Sequence, residues 1–174
     1  AQALVKAAVK GNVKEIDRLI DSGADPNAVG SQGITVPGWV LYHPDRDGFR
    51  RLLERGADPN KIWDDGVYYQ RSLMHLAADR SDRIGVEYLT MCLDIGKGDP
   101  NLVTPDKIAS VIGQAVDLGK EEAFAMLYKA GAKLVPEDVI RGAAVSNNYK
   151  LVFYLLENNM YKLGTHKGAD KVLY

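Results

Sequence analysis

The sequence predicts an all-α fold: a solenoid of about five helix-turn-helix repeats with projecting hairpin loops. Three observations predict it. The segment "GADPN" stands at Gly23–Asn27 and again at Gly56–Asn60, with a blurred copy, "KGDPN", at Lys97–Asn101. The two identical copies are 60 − 27 = 33 residues apart, a period within the range of roughly 20 to 50 that marks stacked repeats. Ahead of the first copy, apolar residues recur at helical spacing in two runs, Leu4, Ala7 and Ala8, then Val13, Ile16, Leu19 and Ile20, with Gly11-Asn12 between them.

The 174 residues read as a single domain, with repeats at about 1–28, 29–61, 62–102, 103–133 and 134–160 and a C-terminal cap or tail at 161–174. Repeat one is the helical hairpin just described. In repeat two, Phe49, Leu52 and Leu53 fall 33 residues after Ile16, Leu19 and Ile20. Its first helix departs from the pattern: Val40 and Leu41 replace the small pair, and Pro37 and Pro44 bracket a short segment. Asp45 reads as the cap of the helix that follows. Repeat three supplies Met74, Ala77 and Ala78, then takes 23 residues from Ala78 to Asn101 where repeat one takes 19 from Ala8 to Asn27. Four extra residues are close to one turn of about 3.6, which predicts a longer second helix with its apolar face through Val86, Leu89 and Leu93. Repeat four matches repeat one at an offset of 108, through Ile112, Ala115, Gly119, Phe124, Leu127 and Gly131. Repeat five matches at 136, through Ile140, Ala143, Ala144, Val152, Leu155 and Leu156, with Asn159 in the glycine position. The loop between repeats four and five is nearly gone, and Pro136-Glu137-Asp138 opens the next helix almost directly. The tail holds Lys162, His166, Lys167 and Lys171 against Asp170 and reads as a solvated end.

The repeated five residues read as punctuation. The glycine takes the left-handed conformation that ends a helix. Asp-Pro then turns the backbone out, because proline disfavours helical geometry in the residue before it. Paired alanines let neighbouring helices approach, and each hairpin must stack on others to cover its apolar face.

These residues resemble the ankyrin repeat. "SLMHLAA" at Ser72–Ala78 is similar to the family's T-P-L-H-x-A-A segment, with Leu73 where proline is expected, and "DSGADPN" and "ERGADPN" are similar to its repeat junction. The resemblance spans about Leu4 to Met160. It implies a curved stack of helix pairs whose concave side and finger-like loops bind another protein. It also implies that His75 holds neighbouring loops by hydrogen bonds.

The loop between repeats two and three is four residues longer than the preceding one and reads "KIWDDGVYYQRS", with Asp65-Gly66 at a tight tip and Trp63, Tyr68 and Tyr69 on its arms. Aromatic residues on a projecting loop read as interface anchors, which bury large area at small entropic cost; the alternative is that the rings fold back to cover the neighbouring loop. The expected partner-binding residues are therefore Trp39, Tyr42, His43, Trp63, Asp64, Asp65, Tyr68, Tyr69, Gln70, Arg71, Asp79 and Arg80.

Other classes find less support. The 22 basic and 23 acidic residues leave a net charge of −1, which gives no field to hold nucleic acid. No apolar run approaches the roughly 20 residues of a membrane span. Cys92 is the only cysteine, read as a buried small hydrophobe. His43, His75 and His166 are scattered without metal-ligand spacing, so no catalytic, metal or cofactor residues are expected and the chain reads as a monomer until its partner binds. Gly113 to Lys120 has five residues between its glycines and no Ser or Thr after the lysine, which departs from a phosphate loop. "DRDG" at Asp45–Gly48 lacks the remaining ligands of a calcium loop. The expected function is a protein-interaction scaffold. One alternative is a bacterial immunity or inhibitor protein that neutralises a toxic enzyme by binding it. Another, from a different class, is a small hydrolase using His43 or His75 with Asp45 or Asp79. The first residue is Ala1 rather than Met, which fits either signal-peptide removal or an omitted start, so the expected location is cytoplasmic, or periplasmic or secreted.

Overall fold

The structure is a computed structural model that describes residues 1–158 apart from 31–32, 44, 65–69, 81–82, 107–109, 136–138, 140–141 and 143–148. Among the described residues it is all-α, with no sheet. The helices are α1 (Gln2–Val9), α2 (Val13–Asp21), α3 (Val36–Tyr42), α4 (Arg46–Glu54), α5 (Leu73–Asp79), α6 (Arg83–Asp94), α7 (Val111–Asp117), α8 (Glu121–Lys129) and α9 (Tyr149–Glu157). The expected features at Asp65-Gly66, Pro136–Asp138, Ile140, Ala143, Ala144, Asn159 and the tail at 161–174 lie outside the described residues.

Local chemistry sets the helix starts. The hydroxyls of Thr35, Ser72 and Ser110 accept from the backbone N–H of Gly38, His75 and Gly113, at 3.3, 3.4 and 3.0 Å. Asn12 and Asp45 cap α2 and α4 in the same way, accepting from Glu15 at 3.2 Å and Gly48 at 2.9 Å. Each side chain satisfies a backbone donor that the first turn leaves without a partner. Three loops are closed at their base by single antiparallel bridges, Val29 with Thr35, Trp63 with Arg71, and Val103 with Ser110.

The helices contact one another in two rows. α1 packs on α3, α3 on α5 and α5 on α7, while α2 packs on α4, α4 on α6 and α6 on α8. Within pairs, α1 meets α2, α3 meets α4, α5 meets α6 and α7 meets α8. Val40 and Leu41, which replace the small pair in α3, are fully buried. α3 lies between α1 and α5, and both bring buried alanine pairs, Ala7 with Ala8 and Ala77 with Ala78, so the larger pair finds its room there. Gly48 lets α4 approach the end of α1, since a Cβ on it would stand 2.1 Å from the Ala8 carbonyl oxygen. α6 has twelve residues against nine in α2, α4 and α8, as the insertion predicts. Its buried face runs through Gly85, Tyr88, Leu89 and Cys92, with Val86 and Leu93 half-buried at the edges, which shifts the expected stripe because Tyr88 turns inward and meets Phe49 edge-on at 4.5 Å.

The repeated five residues do more than end helices. Gly23, Gly56 and Gly131 take φ of 94°, 92° and 96°, as their position after a helix predicts. The carboxylates of Asp25, Asp58 and Asp99 each accept from the backbone N–H two residues on, at 2.8 Å. The asparagines then reach across to the next junction. Asn27 donates to the Gly56 carbonyl at 2.9 Å and accepts from Asp58 N–H at 2.6 Å. Asn60 does the same with Lys97 and Asp99, at 3.3 and 2.7 Å. Asn101 does it with Gly131 and Lys133, at 3.3 and 2.8 Å. One amide supplies both a donor and an acceptor, so three asparagines tie four junctions in series.

α2 and α4 are also joined by charge. Arg51 grips Asp17 with two bonds of 2.7 Å, and Arg55 reaches Asp17 at 2.7 Å and also pairs with Asp21. The Arg51 guanidinium holds the Asp17 carboxyl below its ordinary 3.8, against the opposing effect of burial and with help from Arg55.

Candidate functional site

The C-terminal half of α3 and its C-cap gather three of the expected residues. Trp39 is half-buried, Tyr42 is 46% exposed and His43 is exposed. The Trp39 and Tyr42 rings meet edge-on with centroids 6.4 Å apart. α3 can present Trp39 and Tyr42 because Val36, Val40 and Leu41 are fully buried while Trp39 and Tyr42, three residues apart, share another side of the helix; His43 follows them as the C-cap.

Trp39 and His43 form one wall of a groove of about 470 Å³, whose other wall is α1 with Gln2, Val5, Lys6, Val9 and Lys10, and whose end is Gly30. Trp39 lies over Gly30, where a Cβ would stand 3.2 Å from the indole Nε1. The α1 residues were not anticipated. Their signal in the sequence is a second apolar pair, Val5 and Val9, one turn apart and outside the Leu4–Ala7–Ala8 stripe, flanked by Lys6 and Lys10 at the same spacing.

The remaining expected residues divide. Arg80, at the end of α5, donates to the Leu41 carbonyl and so joins α5 to α3 beside Tyr42. Arg71 forms an ion pair with Asp79 at 3.9 Å. Asp64 is exposed, and Gln70 is half-buried with its Oε1 lacking a hydrogen-bond partner among the described residues. Asp65, Tyr68 and Tyr69 lie outside the described residues. Trp63 requires a correction, because it is 4% exposed and belongs to the core. Its backbone pairs with Arg71 in both directions, at 2.9 and 3.0 Å, and its ring packs over Gly38 at the start of α3, where a Cβ would meet Cζ2 at 3.4 Å. The ring seals the gap between a loop base and a helix, so it is not available as a surface anchor.

The histidines differ in kind. His75 is fully buried, with Nδ1 2.9 Å from the equally buried Ser72 hydroxyl. That is the spacing of a nucleophile and its base, yet neither atom meets solvent, and Ser72 is also the cap of α5. Asp45 is likewise engaged as a cap. Burial pushes the Cys92 thiol well above its ordinary range, the opposite of what a reactive thiolate needs. Among the described residues no three His, Cys, Asp or Glu side chains are grouped to hold a metal ion, and no helix is long and apolar enough to cross a membrane.

A scan of the chain against protein-family models gives no match, and a comparison with curated proteins gives none either.

Proposed function

We propose that this chain is an ankyrin-like solenoid of about five helix-turn-helix repeats that binds another protein across the face formed by α1, α3, α5 and their adjoining loops. The two rows of helix contacts, the bridged loops and the asparagine ties support the architecture. The observation that carries the function is an apolar groove walled by the half-buried Trp39 and the exposed His43, with the exposed Tyr42 ring packed edge-on against Trp39 beside it. Tryptophan and tyrosine side chains grouped at a concavity are what interface anchors often consist of. The face is also preformed: α3 is fixed by its buried side, and the Arg80 bond to Leu41 fixes α5 against it. A rigid surface loses little entropy on binding.

The test is affinity capture from the native source on immobilised wild-type chain and on the Tyr42→Ala/His43→Ala variant, with partners identified by mass spectrometry. Both residues are exposed, so the far-ultraviolet circular dichroism is expected to stay unchanged while capture of the specific partner falls about tenfold or more. Equal capture by both chains would remove this face from the account.

A further inference from the structure

The groove between α1 and α3 has a chemistry of its own. Its floor is apolar, made by Val5 and Val9 and by the Trp39 ring, and its α1 rim is basic. Lys6 and Lys10 are exposed and stand four residues apart, a rise of about 6 Å along the helix. α1, QALVKAAV, contains no acidic residue. Neither lysine has a carboxylate partner among the described residues, where the ion pairs engage arginines and leave these two ammonium groups out. Asp45, whose carboxylate lies against Gly11 just beyond the end of α1, is engaged as the cap of α4. The opposite rim carries His43, and among the described residues no acidic one lines the groove. The charge on this groove is therefore one-sided, although the chain as a whole is almost neutral.

We infer that the α1–α3 groove takes an acidic peptide segment of the partner, with one large apolar side chain seated against Val5, Val9 and Trp39 and carboxylates beside it meeting Lys6 and Lys10. The inference rests on the binding function proposed above and names the chemistry of what is bound. A space of about 470 Å³ is at the lower end of the range for ligand sites, about 300–1,000 Å³, and suits one or two side chains. It opens to solvent, which favours a segment of a larger chain over an enclosed lipid tail. Exposed lysines gain only a little per pair, so their main effect is to select the sign of the ligand and speed its arrival, while the apolar anchor holds it.

A random library of short peptides displayed on phage, selected on the full chain, tests this. The expected enrichment is for peptides with Asp or Glu near an aromatic or long aliphatic residue. Synthetic versions of the selected peptides should bind about tenfold more weakly to Lys6→Glu/Lys10→Glu and to Trp39→Ala, and their affinity should fall as salt rises. Circular dichroism of each variant controls for folding, and Lys6→Gln/Lys10→Gln, which removes the charge without reversing it, should give an intermediate loss. Selected peptides without acidic bias, or binding indifferent to the lysine changes, would overturn the inference. Peptides that lose binding with Tyr42→Ala or Arg80→Ala but not with the lysine or Trp39 variants would overturn it while leaving the wider binding face intact. A library that yields no binder also overturns it, and the capture experiment then decides the wider reading separately. Fatty-acid micelles competing with the peptides at the groove would assign it to a lipid instead.

Discussion

At Lys97 a residue with a side chain holds a φ of 56°, and the next position is a glycine. The order is reversed from "GA" to "KG" for a local reason. A Cβ on residue 98 would stand 2.4 Å from Met74 Sδ and 3.0 Å from the Cys92 carbonyl oxygen, so the small residue moves to where space is shortest and Lys97 takes the left-handed turn. At Gly56 the balance differs, since nothing lies within 4 Å of a Cβ and φ is 92°. Gly56→Ala should therefore cost about 1–2 kcal/mol through backbone conformation alone, measured by urea unfolding; a neutral result would refute that account. Asn60→Ala removes one bond donated and one accepted across the junction and should cost about 1–3 kcal/mol, at roughly 0.5–1.5 per bond. The helix-ending role of the glycines was legible, because their conformation depends on neighbours in sequence. The reach of Asn27, Asn60 and Asn101 was not, because their partners are 29 to 39 residues away and become neighbours only when units pack.

Among elements, the loop base at Trp63 shows where sequence reasoning misplaced a side chain. A tryptophan in a polar loop reads as an anchor, with a lid over the neighbouring loop as the alternative, and the bridge to Arg71, which decides it, depends on how the loop closes. Trp63→Ala should cost about 3–5 kcal/mol, as large core truncations do, whereas Tyr42→Ala should stay within about 0.5 kcal/mol; thermal unfolding of the two variants measures the contrast. The α2–α4 ion cluster was equally illegible, because Asp17 and Arg51 are 34 positions apart. Its pH behaviour follows from the depressed Asp17 carboxyl. That contribution to stability is complete above the ordinary value of 3.8 and is lost as pH falls through the lower value of the folded state. Asp17→Asn should therefore be less stable than wild type at neutral pH, and the gap should close in acid. A gap that widened in acid would contradict the assignment. The candidate site was half legible: Trp39, Tyr42 and His43 stood out as polar-tipped or aromatic residues on a helix, but the α1 wall needed α1 and α3 side by side.

Across the molecule, helices chiefly touch those of adjoining pairs, so α4 and α5 are supported from both sides while α1 and α2 are supported from one. In chains built from units that stabilise their neighbours, protection follows the number of neighbours. Amide hydrogen exchange should therefore be slower in α4 and α5 than in α1 and α2, and uniform protection would argue against a linear arrangement. The asparagine ties have a further consequence for the age of the molecule. Spontaneous hydrolysis of a side-chain amide to a carboxylate leaves an acceptor where a donor stood. At position 27 the new anion would face the carbonyl oxygen of Gly56, at 60 that of Lys97 and at 101 that of Gly131. Each such event would keep the bond accepted from the backbone N–H but replace the donated one with two oxygens facing each other, so chemical wear would fall first on the joints and not on the core.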